Sequence, residues 1–433
     1  MKYHKAVRDV CRESDLARQQ RFAESVLSNR SRDFWKEVKC IRGKHSNLPS
    51  VIDNCSGAGD IAQCFADKYR DLYSSVPYNV DEIASIRQQL NCDIELQYDM
   101  SDSMIDANEV YSAIHRLNIG KADGSIGLTS DHFINANRDL SAHLSMLLTG
   151  LLFHGFLPDD LAVSTIIPIP KSRNGQMTNS DNYRGICLSS IVCKILDLVI
   201  RDRYIDNLAT TQFGFKAGRS TNMCTLLVKE TISYYTNNSS SVYCCLLDAT
   251  KAFDRVNYSK LFRMLIDRKM PPVVVRLLLN MYTGHHTRIM WNGCFSQYMD
   301  VKNGVKQGGI LSPILFCVYL DTLILSLVNS GVGCYMGHIC LSVLAYADDL
   351  VILAPSASAM RKLLLICEHF SCDYDVKFNA SKSKCILFQS VDVHRHSSLK
   401  PVFALVRMLL STSMSGPIWV IYCIGILLIA ITF

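Results

Sequence analysis

The chain has 433 residues, 49% of them hydrophobic, with a formal net charge of +6 and an isoelectric point near 8.5. That length allows a sizeable buried core and two or more subdomains, and the mild basic excess suits a polyanionic partner. Eighteen cysteines occur without one C-x-x-C pair, which excludes zinc-knuckle and zinc-finger spacing.

The cysteines therefore read as free thiols in a reducing compartment. The N-terminus is charged from Lys2 onward and lacks the apolar stretch of a signal peptide, so an intracellular protein of nucleus or cytoplasm is expected. Residues 1–101 form a charged, basic region, helical in pieces around 18–38 and 60–74. Its basic residues are interspersed with acids at helical spacing, so a solvated helix face explains them without a ligand. Residues 120–133, GKADGSIGLTSDHF, read as a loop leading into a helix.

Residues 242–247 are an apolar, β-compatible run that ends at Asp248, and Asp254 follows in a more polar stretch. Gln307-Gly308-Gly309 precede a helix start: Ser312 suits an N-cap, Pro313 suits the first turn, and residues 314–328 read as a largely apolar, buried helix. The two glycines let backbone approach a ligand closely. Residues 343–345 and 350–354 read as two strands of a hairpin, with Tyr346-Ala347-Asp348-Asp349 at its tip.

An Asp-Asp turn on a surface hairpin is commonplace and usually only solubilises. Asp248, on a separate strand, changes its meaning. A carboxylate at the end of a buried strand is costly unless a cation or base faces it. Asp248 and Asp348 on neighbouring strands could clamp two Mg²⁺ ions, with Mn²⁺ as the alternative, about 3.5–4 Å apart for in-line phosphoryl displacement. Mg²⁺ suits such a site because it takes few carboxylates plus substrate phosphates.

The motifs resemble those of reverse transcriptases. LLDATKAFDRV resembles motif A, NGVKQGGILSPILF motif B, YADD motif C and VKFNASKSKCILF motif D. STIIPIPK, NYRGICLSS and QFGFKAGRST resemble the fingers segments, all in family order. The wording is similar to non-LTR (LINE-type) retrotransposon enzymes over roughly residues 102–388. The resemblance implies an α+β, right-hand polymerase fold, with fingers and palm over residues 102–389 and an antiparallel palm sheet.

It also implies roles residue by residue. Asp248, Asp348 and Asp349 would be the catalytic and metal-binding acids, and Lys382 the acid that protonates pyrophosphate, with Lys384 close enough to compete. Lys171 and Arg184 would grip the triphosphate, Phe253 would exclude a 2′-hydroxyl, and Gln307 and Gly308 would touch the nascent base pair. Each has a plainer reading as surface charge, core aromatic or helix start, and the surrounding motifs tip the balance. RNA template, DNA primer and dNTPs are the implied partners. Residues 1–101 resemble the linker that follows an endonuclease in this family, so a separate endonuclease would be needed.

Residues 390–433 depart from the family. A thumb is expected there and none is recognisable, so it is read as missing or replaced. Residues 408–433 carry no charge and are long enough for a transmembrane helix, which makes membrane association a further expectation. The competing expectation for the whole chain is a decayed or co-opted element that binds RNA or RNA–DNA hybrid without catalysis.

Overall fold

The computed structural model describes residues 49–389, except 77–78, 98–102, 123–126, 173–174, 205–210 and 217, together with Arg12, Leu16, Gln20 and Ala23. The tail expected to replace a thumb, and its apolar segment 408–433, lie outside the described residues. The chain divides into two units, residues 1–51 and 52–433. In the first, Arg12, Leu16, Gln20 and Ala23 are helical and residues 49–51 are not. Everything below concerns the second.

Its palm is a four-stranded sheet in the order β5-β6-β3-β7, where β3 is Val242–Leu247, β5 Val343–Tyr346, β6 Asp349–Ala354 and β7 Lys384–Phe388. Every neighbouring pair is antiparallel. Successive side chains of a strand point to opposite faces. Cys245, Leu247, Leu350 and Ile352 join the main core. Cys244, Leu344, Val351 and Leu353 join a second cluster containing Cys224, Val228 and Ile232 of the helix Thr221–Asn237. Both faces are covered, which is why these strands read as continuous apolar runs rather than alternating ones.

The main core is built on helix α9, Ser312–Asn329, whose Leu315, Phe316, Leu320 and Leu323 are fully buried. Each such side chain is worth about 1.5–3 kcal/mol by area. This helix is long and apolar enough to cross a membrane by length and composition, and most of it is buried inside the protein. It starts two residues before the expected run, with Ser312 as its first helical residue and Leu311 at the cap position. The expected Ser312 cap is therefore not formed, and the cap position carries no side-chain hydrogen bond.

The fingers sheet contains β1, Val163–Pro170, and β2, Tyr183–Leu188, as an antiparallel pair, with Ile169 opposite Arg184. Strand β4, His286–Trp291, lies parallel to β1. Helix α1, Ala58–Leu72, covers this sheet through Phe65, which meets Tyr183 and Trp291 with ring centroids 5.3 and 5.4 Å apart. Helix α2, Val80–Gln97, packs against the helix Pro272–Thr283 of the palm.

Candidate active site

The two strands of the YADD hairpin pair Tyr346 with Asp349, leaving Ala347 and Asp348 as a two-residue turn. Ala347 holds a left-handed φ of 58°. An L-residue there is strained by about 1–2 kcal/mol, and such strain gathers at functional sites. Leu247 pairs with Leu350, so Asp248 leaves β3 beside the base of this turn.

The three carboxylates feel one another. Burial raises the pKa of Asp348, Asp248 adds repulsion, and Arg184 and Lys382 oppose both. Asp349 is pushed up to about 6, by burial first and then by Asp348 and Asp248. Both effects penalise the ionised acids, and a divalent cation would reverse them. Among the described residues no three His, Cys, Asp or Glu side chains form a ready-made cage. The donor set on offer is therefore two part-buried carboxylates open to substrate oxygens, which fits Mg²⁺.

Lys382 and Lys384 compete for one role in the sequence, and the strand register separates them. Lys384 begins β7 opposite Leu246. Lys382 sits in the preceding loop with its Nζ 3.7 Å from Asp248 Oδ2. Asn379 organises that loop: its Oδ1 accepts the N–H groups of Ser381 and Lys382. Its own N–H donates to the Asp248 carbonyl at 2.7 Å.

Lys171 and Arg184 flank the tip of the fingers hairpin. The Lys171 N–H donates to the Asn182 carbonyl at 2.6 Å, and its Nζ to the Asp181 carbonyl at 2.7 Å. Burial, then the nearby charge of Arg184, lowers the Lys171 pKa, with Lys251 and Lys68 adding to the effect. Lys68 of α1 holds the loop by donating to Ser180 Oγ at 2.5 Å and Asp181 Oδ1 at 2.6 Å. Arg184, Lys251 and Lys68 thus gather around Lys171 at the fingers tip, and Arg184 also acts on Asp348, an arrangement suited to a polyphosphate. Lys251, at a left-handed φ of 50° three residues after Asp248, is a member that no sequence signal had singled out.

Phe253 stacks on Phe316 of α9, centroids 4.7 Å apart and planes 19° apart, with the exposed Phe215 edge-on at 6.4 Å. The half-buried ring is held against α9. The loop before α9 rides on the same segment: Val305 N–H donates to the Phe253 carbonyl at 2.7 Å and Gly304 N–H to that of Val256 at 2.9 Å. Gly304 has φ 90°, and a Cβ there would lie 2.9 Å from the Asp254 backbone.

Gln307, read as a base-pair contact, is held from beneath. Its Nε2 donates to both carboxylate oxygens of Asp254, at 2.8 and 2.9 Å. Asp254 is 5% exposed, and burial pushes its carboxyl up to about 6. The pairing turns the Gln307 amide nitrogen inward. Gly308 lies against β2: its φ is 104°, a Cβ would be 3.0 Å from the Cys187 carbonyl, and Cys187 N–H donates to the Gln307 carbonyl at 2.7 Å. The motif B loop thereby ties palm to fingers.

A carboxylate from elsewhere in the chain faces the segment just before α9. Asp197, on the helix Ile191–Tyr204, faces the main-chain N–H groups of Ile310 and Leu311 just before the helix start, and they favour its ionised form. A carboxylate suits that end of a helix. Burial nevertheless pushes Asp197 up to about 7, against the favourable charge of Lys306. A raised folded-state pKa contributes stability that is complete below the ordinary carboxylate value and is lost as pH rises through about 7. Asp197→Asn keeps an acceptor and carries no charge. Urea unfolding at pH 4 and pH 8 should show the variant gaining about 2–4 kcal/mol on the wild type between those values. An unchanged difference would contradict this account of Asp197.

A polymerase palm with paired acids on a hairpin, a facing acid on the neighbouring strand and a cationic fingers tip defines a template-directed nucleotidyl-transfer fold. The chain belongs to the reverse transcriptase (RNA-dependent DNA polymerase) family, which it matches over residues 169–402. It is 26% identical over 269 residues to the Pol polyprotein of the type-2 retrotransposable element R2DM of Drosophila melanogaster, covering 62% of this chain and 25% of that protein. It is 23% identical over 396 residues to the RNA-directed DNA polymerase from mobile element jockey of Drosophila funebris, covering 86% of this chain and 42% of that protein. To the probable RNA-directed DNA polymerase from transposon X-element of Drosophila melanogaster it is 23% identical, over 68% of this chain and 33% of that protein. These relatives are non-LTR retrotransposon proteins, the LINE-type branch that the motif wording resembles. The chain spans a quarter to two-fifths of the length of the three.

Proposed function

We propose that this chain is an RNA-directed DNA polymerase that extends a primer on an RNA template as part of retrotransposition. The observation that carries the reading is the meeting of Asp248 with the Asp348-Asp349 turn beneath the cationic fingers tip of Lys171 and Arg184. The primer 3′-oxygen bonds to the α-phosphorus of a dNTP, the bond to pyrophosphate breaks, and the hydroxyl proton is lost. Two Mg²⁺ ions held by Asp248 and Asp348 would lower the pKa of the attacking hydroxyl and neutralise the leaving group. Asp349 supports their charge balance from the adjacent position.

The chain's own groups do the rest. Lys171 and Arg184 orient the triphosphate, Arg as a forked donor and Lys as a point charge. Lys382, exposed beside Asp248, is placed to give a proton to departing pyrophosphate. Phe253 excludes a 2′-hydroxyl, and Gln307 with Gly308 lines the nascent base pair. A nick made by an endonuclease would supply the primer end.

Extension of oligo(dT) on poly(rA) with dTTP and Mg²⁺ tests the reading. Incorporation that chelation of the metal abolishes supports it. Tight template binding with no incorporation would assign the chain to RNA or hybrid binding instead.

A further inference from the structure

The strained YADD turn is braced by a segment that the catalytic reading leaves without a role. Gln212 is fully buried, 0% exposed. Its Oε1 accepts two main-chain hydrogen bonds, from Gly214 N–H at 2.8 Å and from Ala347 N–H at 3.2 Å. The backbone joins in: Ala345 N–H donates to the Thr211 carbonyl at 2.9 Å, and Phe213 N–H to the Ala345 carbonyl at 2.7 Å. Residues 211–213 therefore extend the sheet beyond edge strand β5 by a parallel bridge.

Two further facts mark this contact as specific. A Cβ on Gly214 would lie 2.2 Å from Ala347 N and 2.9 Å from its Cα, so any side chain there would displace the turn. Among the described residues, the Gln212 Nε2 is buried without a hydrogen-bond partner. An orphaned buried donor is costly, and an apolar side chain of equal length would avoid it. Packing alone therefore does not account for a glutamine here, whereas its oxygen satisfies an amide of the catalytic turn.

We propose that Gln212 is a positioning residue of the catalytic centre, holding Ala347 in its left-handed conformation and so aiming the Asp348 carboxylate. This rests on the reading of Asp348 as a metal-binding catalytic acid. Gly214 supplies the clearance.

Hydrogen exchange of the Ala347 amide in the full chain tests the contact without metal or activity. Gln212→Met, of equal length but without the oxygen, should raise that exchange about tenfold, with the β3 and β6 amides unchanged. Gln212→Glu keeps an acceptor and should keep the protection. Should the Met variant not fold, Gln212→Asn retracts the acceptor by one methylene and should show the same rise. Mn²⁺ binding followed by electron paramagnetic resonance should weaken severalfold in the deprotected variant. Its kcat for primer extension should fall about tenfold at unchanged template–primer Kd. Unchanged Ala347 exchange overturns the contact. Faster exchange with unchanged Mn²⁺ binding and kcat overturns the positioning role. A wild type that extends no primer sinks the polymerase reading instead, and the exchange and Mn²⁺ results still decide the role of Gln212.

Discussion

Asp348→Asn should lower the rate of primer extension by about a thousandfold while leaving template–primer binding and thermal stability close to wild type. Asn has the same shape but no charge, and a metal-bound carboxylate supports several kcal/mol of transition-state charge. At 1.36 kcal/mol per decade that is about three orders of magnitude. The expected stability change is small and of favourable sign. In the free protein, burial and the nearby Asp248 both disfavour an ionised Asp348, so neutralising it removes repulsion. A variant that loses extension together with its fold would show only damage. Measurement of kcat, Kd for template–primer and unfolding midpoint on the same preparation separates the two.

The second large effect is expected at Phe253. Phe253→Ala should reduce the preference for dNTP over rNTP by about two orders of magnitude, mainly through faster rNTP use. Steric exclusion of a single hydroxyl depends on a rigid obstacle, and the ring is fixed by its stack on Phe316. A pocket enlarged beneath the sugar accepts the extra oxygen at little cost, as apolar pockets generally do. If Phe253 were only core packing, its truncation would cost about 3–5 kcal/mol of stability, and use of both nucleotides would fall in parallel. Single-nucleotide incorporation with dTTP and UTP on one RNA template distinguishes these outcomes.

The parts of this site that were legible in the sequence are those written locally. The run before Asp248 matches β3 over Val242–Leu247, and the YADD hairpin forms with each strand one residue longer toward the turn than its apolar run implied, so Tyr346 and Asp349 pair in the ladder and only Ala347 and Asp348 make the turn. Turn residues between two apolar runs state such a hairpin directly. The start of α9 was only half legible. Ser312-Pro313 announced a helix, but the carboxylate facing the N–H groups just before its first turn is Asp197, more than a hundred residues earlier. Nothing local could have named it.

The same limit hid Asp254 and Gln212. Asp254 was visible as the second acid of motif A, and its partner Gln307 lies 53 positions away. Gln212 meets Ala347 across 135 positions. Periodicity reports which residues face a core, whereas these contacts depend on which segments the fold brings together. Which of Lys382 and Lys384 lies beside Asp248 likewise depends on the register of β7 against β3, which puts the Lys382 Nζ there.

The central claim is that the acids of β3 and the YADD turn carry out RNA-templated DNA synthesis. Its most direct test is extension of a labelled DNA primer on an RNA of defined sequence by the purified chain with Mg²⁺, one dNTP at a time. The account predicts that the primer grows only with the dNTP complementary to the next template base, and that Asp248→Ala and Asp348→Asn proteins bind the same duplex without extending it. Equal extension by those variants, or binding by the wild type with no extension under any dNTP, would contradict it.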